Sequence, residues 1–114
     1  MAGGPHDVPE ISVEALKQRI DTGQPVVLLD VREPMEWDIA NLEPYGARLI
    51  PMGEIPDRLG ELDKAADIVV YCRTGNRSAG VARYMKALGF QRVWNLQGGI
   101  NAWAERIDPD VHGY

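Results

Sequence analysis

The only cysteine of the chain, Cys72, is followed by Arg73, Thr74, Gly75, Asn76, Arg77 and Ser78. A thiolate is the nucleophilic form of cysteine, and an ordinary thiol ionises only near about pH 8.5. Nearby guanidinium groups and the amino end of a helix both lower that value. The segment offers both. Arg73 and Arg77 bring two permanent positive charges. Gly75 can take a positive φ, which lets backbone N–H groups turn inward as an anion cradle. A helix that follows the loop aims its positive end at the same point. A thiolate held this way attacks an electrophilic centre on an anionic substrate and forms a covalent intermediate. No general base is needed, which fits the placement of the only two histidines, His6 and His112, near the chain ends. The competing account is a buried, inert cysteine at a strand end, the common fate of a free thiol. The arginines and the glycine favour the nucleophile.

The elements around this loop follow from apolar patterning. Ile68 to Tyr71 reads as a strand buried on both faces, with Cys72 at its carboxyl end. Ser78 to Leu88 reads as a helix with Val81, Ala82, Met85 and Leu88 on one face, stopped by Gly89. Val26 to Leu29 is a second buried strand, ending at Asp30-Val31-Arg32. Ser12 caps a helix running to about Asp21, with Val13, Leu16 and Ile20 inward. A helical turn covers Glu33 to Trp37, with Pro34 tolerated early. Arg48 to Ile50 is a short strand, Ile55 to Leu62 a helix with Ile55, Leu59 and Leu62 inward, Arg92 to Leu96 a strand, and Ile100 to Arg106 a last helix. Strands alternating with helices imply a parallel sheet covered on both sides. Ligands bind such sheets at the carboxyl ends of strands. Asp30-Val31-Arg32, the Cys72 loop and Gln97-Gly98-Gly99 all fall there.

Bulk properties bound the rest. At 114 residues, the chain has the length of one ordinary domain. Met1 to Pro9, rich in Gly and Pro, is expected to be a loose arm before a single domain from Glu10 to Tyr114. With 45% hydrophobic and 25% charged residues, a folded core is expected rather than disorder. A net charge of −5 argues against general nucleic-acid binding. No apolar run approaches the roughly 20 residues of a membrane span. No secretion signal is visible, and a lone thiol suits a reducing compartment, so a cytoplasmic location is expected. A single cysteine forms neither an internal disulfide nor a Cys-x-x-Cys redox pair, and no metal or organic cofactor is expected.

The Cys72 loop resembles the active-site loop of the rhodanese family of sulfurtransferases. Leu29-Asp30-Val31-Arg32-Glu33-Pro34 with Glu36 is similar to the family's first signature. Leu96-Gln97-Gly98-Gly99-Ile100 with Ala102-Trp103 is similar to its last. The resemblance runs from about Ile11 to Tyr114. It implies a three-layer α/β/α fold with a five-stranded parallel sheet. It also implies sulfane-sulfur transfer from thiosulfate or a persulfide donor, through a persulfide on Cys72, to a thiophilic acceptor. The residues from Arg73 to Ser78 would then form the anion-binding loop. Related phosphatases and arsenate reductases of the same fold place five residues between Cys and Arg. Here four residues separate Cys72 from Arg77, a smaller cradle that suits one sulfur atom better than a phosphate. Some members are non-catalytic binding modules, usually with the cysteine lost; here it is present.

Where many members carry Gly-His-Ile, this chain has Ile39-Ala40-Asn41-Leu42-Glu43-Pro44-Tyr45-Gly46-Ala47. That variant and the ending from Trp103 to Tyr114 resemble domains fused behind MoeB- or ThiF-type adenylating enzymes. The resemblance implies a ubiquitin-like sulfur carrier protein as acceptor and a cysteine desulfurase as an alternative donor. Among supporting residues, Asp30 is expected to fix the loop by accepting backbone hydrogen bonds. Arg32 and Glu36, four apart, are expected to form an ion pair. Gly98-Gly99 is read as a tight turn. Trp37, Trp94 and Trp103 are read as packing.

Overall fold

Side chains of Ile68–Tyr71 alternate between two cores, and this alternation sets the layering of the molecule. Val69 and Tyr71 join Leu16, Leu28, Leu96, Ile100 and Trp103. Ile68, Val70 and Cys72 join Leu29, Ile55, Val81, Met85 and Phe90. A strand buried on both faces has no polar side, which is why its sequence is continuously apolar. The computed structural model describes residues 8–111. His6, His112 and most of the expected N-terminal arm lie outside them.

The strands are β1 (Glu10–Ile11), β2 (Val27–Asp30), β3 (Arg48–Leu49), β4 (Ile68–Tyr71) and β5 (Val93–Leu96). The helices are α1 (Val13–Asp21), α2 (Pro34–Ile39), α3 (Ile55–Arg58), α4 (Asn76–Ala87) and α5 (Gly99–Arg106). The sheet is parallel throughout, in the order β1-β5-β4-β2-β3. α1 and α5 contribute to one core and α3 and α4 to the other, giving three layers. From β2 the chain moves outward to β3, and from β4 outward to β5 on the opposite side. The chain thus leaves these two central strands in opposite directions at their carboxyl ends, the switch point at which sheets of this kind bind ligands.

Several boundaries differ from the sequence expectation. β1 is not foreseen by apolar patterning, because two residues carry no periodicity. Val8 packs against the second core, and the Pro9 carbonyl accepts the Asn95 N–H at 3.0 Å, so these two residues, expected in the arm, pack with the folded domain. α4 begins at Asn76, two residues before the expected Ser78, because Gly75 at φ +111° turns the chain straight into the helix. Leu88 is exposed rather than inward, at the C-cap of that helix. The helix expected from Ile55 to Leu62 closes after Arg58 into a 3₁₀ turn, Leu59–Glu61, in a stretch that holds both Pro56 and Gly60. Ser12 caps α1 as expected, its Oγ accepting the Ala15 N–H at 3.1 Å.

Candidate active site

β4 delivers Cys72 to the centre of the sheet's carboxyl end, and the turn at Gly75 carries the chain at once into α4. The first N–H groups of a helix lack intrahelical partners. Here the Ser78 N–H lies 3.4 Å from Cys72 Sγ. The Gly75 N–H approaches to 3.1 Å and the Ser78 hydroxyl to 3.3 Å. Three donors therefore surround one sulfur. Burial opposes ionisation, but the Ser78 hydroxyl and the N–H groups of Ser78, Gly75 and Thr74 outweigh it and hold the thiol below its ordinary value. Cys72 is only 1% exposed, so it forms the floor of the loop, not its rim. Arg73, Thr74 and Asn76 are exposed at the mouth, and Arg77 is half-buried.

Backbone carbonyls would repel a thiolate, and the fold turns them away. Ile100 N–H donates to Cys72 O at 3.0 Å and Asn101 N–H to Arg73 O at 3.1 Å. The amino end of α5 thus holds the outer side of the Cys72 loop. Gly99 makes this approach possible: a Cβ there would stand 2.5 Å from both the Cys72 and the Arg73 oxygen. The Gly98-Gly99 pair is thus a contact surface as well as a turn.

Two ion pairs flank the loop, and they differ from the expected ones. Arg32 does not take the Glu36 carboxylate as its partner; it grips Asp30, with Nη2 at 2.7 Å and Nε at 3.0 Å. Both residues are fully buried. Arg32 also donates to the Ala40 carbonyl at 2.6 Å, anchoring the chain beyond α2. Asp30 accepts the Arg32 N–H at 2.9 Å, so its carboxylate is filled by Arg32 rather than by amides of the Cys72 loop. Beyond the ladder that pairs β2 with β4, the Val31 N–H donates to Tyr71 O at 3.1 Å and ties the segment after β2 to the strand that carries Cys72. Glu36 binds Arg77 in a two-pronged pair, at 2.7 and 2.9 Å. A charge-assisted fork of this kind fixes direction as well as distance. Trp103 is fully buried, edge-on to Tyr45, and acts as core.

Asn95 was not among the residues singled out from sequence. It is 2% exposed in β5 and bonds to Ser78, Gly75 and Glu10. Its one sequence signal is a polar residue inside an otherwise apolar strand, since a buried polar group needs partners. Among the described residues no cluster of His, Cys, Asp and Glu could hold a metal ion. No described helix is long and apolar enough to cross a membrane.

The profile of the rhodanese-like domain matches residues 12–106. The chain is 44% identical to a sulfurtransferase of Allochromatium vinosum, over 91% of this chain and 95% of that one. It is 41% identical to the probable adenylyltransferase/sulfurtransferase MoeZ of Mycobacterium tuberculosis, over 91% of this chain but only 26% of MoeZ. The chain therefore spans about a quarter of that longer relative. The crystal structure of a rhodanese-like domain protein from Staphylococcus aureus superposes with a TM-score of 0.78 at 34% identity, covering 84% of this chain and 91% of that one. Fold, profile and relatives agree: the chain belongs to the rhodanese-like domain family.

Proposed function

We propose that the protein is a sulfurtransferase that carries sulfane sulfur as a persulfide on Cys72. The observation that carries this reading is the convergence of the Gly75 N–H, the Ser78 N–H and the Ser78 hydroxyl on one buried sulfur. Such donors favour the thiolate without a general base. With thiosulfate as donor, the Cys72 thiolate attacks the outer sulfur. The bond between the two thiosulfate sulfurs breaks, its electron pair leaves with sulfite, and a Cys72 persulfide anion remains. An acceptor nucleophile then attacks the terminal sulfur and returns the thiolate. Cys72 returns to its starting thiolate and no outside oxidant or reductant is consumed, because the donor's sulfane sulfur passes whole to the acceptor, and ping-pong kinetics follow.

The short loop leaves its inward N–H groups to stabilise whichever sulfur bears the charge. Arg73 and Arg77 draw an anionic donor to the mouth, with Arg77 held in direction by Glu36. Thr74 and Asn76 complete the rim, while Asp30 and Arg32 hold the neighbouring end of β2 and the chain at Ala40. A protein persulfide, such as that of a cysteine desulfurase, meets the same chemical requirement as thiosulfate. The likeness to MoeZ, whose name joins adenylyl transfer to sulfur transfer, supports a ubiquitin-like carrier protein as acceptor. The lone thiol supports a reducing, cytoplasmic setting.

Mass spectrometry of the intact protein after thiosulfate treatment tests the central claim. One added sulfur, removed by cyanide and missing from Cys72→Ala, is the expected result. An unchanged mass with both thiosulfate and a small-molecule persulfide overturns it.

A further inference from the structure

Ser78 has one hydroxyl proton and two acceptors within reach. Its Oγ lies 2.6 Å from Asn95 Oδ1 and 3.3 Å from Cys72 Sγ. It cannot serve both at once. The orientation of the Asn95 amide is settled by its other neighbours. Nδ2 lies 3.1 Å from Gly75 O and 3.1 Å from Glu10 Oε2. Both are acceptors, so they require the NH₂ group and leave Oδ1 facing Ser78. Asn95, Ser78 and Cys72 are all at least 98% buried, so water does not replace a missing partner cheaply.

We propose that Asn95 is a positioning residue that competes with the Cys72 sulfur for the Ser78 hydroxyl proton, making that hydroxyl a two-position rotor. With a protonated thiol, S–H faces Ser78 Oγ, and the hydroxyl donates to Asn95. With a thiolate, the hydroxyl swings to the sulfur, and Asn95 Oδ1 loses its donor. The swing breaks no covalent bond; the thiol proton itself goes to solvent. Asn95 therefore makes the thiol less acidic than the same loop without it, the opposite of what Ser78 does. The persulfide step rests on the function proposed above. Once the charge has moved to the outer sulfur, the hydroxyl returns to Asn95, and no buried donor is left idle.

Charged groups on the elements around the sulfur are Arg73 and Arg77 in the loop, Glu36 on α2 through Arg77, Asp30 at the end of β2 with Arg32 just after it, and Glu10 on β1 through Asn95. The Ser78 hydroxyl is the group that contacts both Asn95 Oδ1 and the sulfur. Loss of Asn95 does not strip Gly75 O of its partners, because Ala79 N–H also donates to it at 3.1 Å.

The pH dependence of iodoacetamide alkylation of Cys72 tests the competition. Asn95→Ala is expected to lower the midpoint by roughly half to one pH unit. Ser78→Ala is expected to raise it. In the Ser78→Ala background, Asn95→Ala is expected to shift nothing, because the rotor is already gone. Asn95→Ser, whose shorter side chain stops short of Ser78, is measured beside Asn95→Ala and read the same way. A raised or unmoved midpoint in the Asn95 variants, or a shift that persists without the Ser78 hydroxyl, overturns the proposal. These titrations need no sulfur donor, so their failure is separable from a failure of persulfide formation.

Discussion

Two strand-to-helix joints lie side by side at the carboxyl end of the sheet. Each helix starts from a glycine at positive φ, Gly75 at +111° before α4 and Gly98 at +77° before α5, with no side-chain cap. Their free N–H groups meet different things. After β4, the N–H groups converge on the Cys72 sulfur. After β5, they are taken by the Cys72 and Arg73 carbonyls. A helix amino end favours an anion only where no backbone acceptor already fills it. The second joint thus serves the first: by holding carbonyls outward, it leaves the inward side of the loop to N–H groups.

Exchanges at the two joints should separate chemistry from stability. Cys72→Ala should lower sulfur transfer by roughly 10⁴-fold or more, in steady-state assays with thiosulfate and cyanide, while moving the urea midpoint less than any change at Gly99. Gly99→Ala should show the reverse emphasis. Its added Cβ meets two backbone oxygens at 2.5 Å, and the position has φ +60°. A stability loss of about 3 kcal/mol is expected from urea unfolding. If Gly99→Ala instead folds with full stability, the second joint is not the brace described here.

A change at Arg77 should separate attraction of the proposed donor from ionisation of the Cys72 thiol. Arg77→Ala should lower kcat/KM for thiosulfate about tenfold, with a smaller change in alkylation by uncharged iodoacetamide. Equal losses in the two assays would show that Arg77 acts on the thiolate rather than on the donor.

The smallest expected effect concerns Glu36. The hydrogen bond from Arg77 holds its carboxyl down at about 2, against the opposing effect of burial. A lowered native pKa contributes stability above the ordinary glutamate range, and that contribution is lost as pH falls through about 2. The urea-midpoint difference between the wild type and Glu36→Gln should therefore shrink across this acid window. It should stay under about 1 kcal/mol, because Arg77 is partly solvated. A difference independent of pH would remove the ion pair as its source.

Much of the site was legible because it is local in sequence. Cys72, Gly75, Arg77 and Ser78 sit on one loop, and the apolar run of β4 reveals what supports it. Ser12 as a cap was legible for the same reason. The partners of the site were not. Glu36 meets Arg77 across 41 positions and Glu10 meets Asn95 across 85, and no periodicity spans such gaps. Arg32 and Glu36 have the right spacing to pair along a helix, but Arg32 precedes α2, so it turns to Asp30 instead. Gly99 read as a turn because its close approach to Cys72 exists only once β4 and β5 are adjacent.

The sequence by itself determined the alternation of strands and helices, the place of the cysteine at a strand end and the glycine joint that follows it. These depend on residue type and on contacts a few positions apart. Only the tertiary structure decided which groups face the sulfur, which carboxylate holds Arg77, and that Asn95 and Cys72 share one hydroxyl. Those choices depend on strand order and on burial, which together determine which polar groups must satisfy one another out of reach of water.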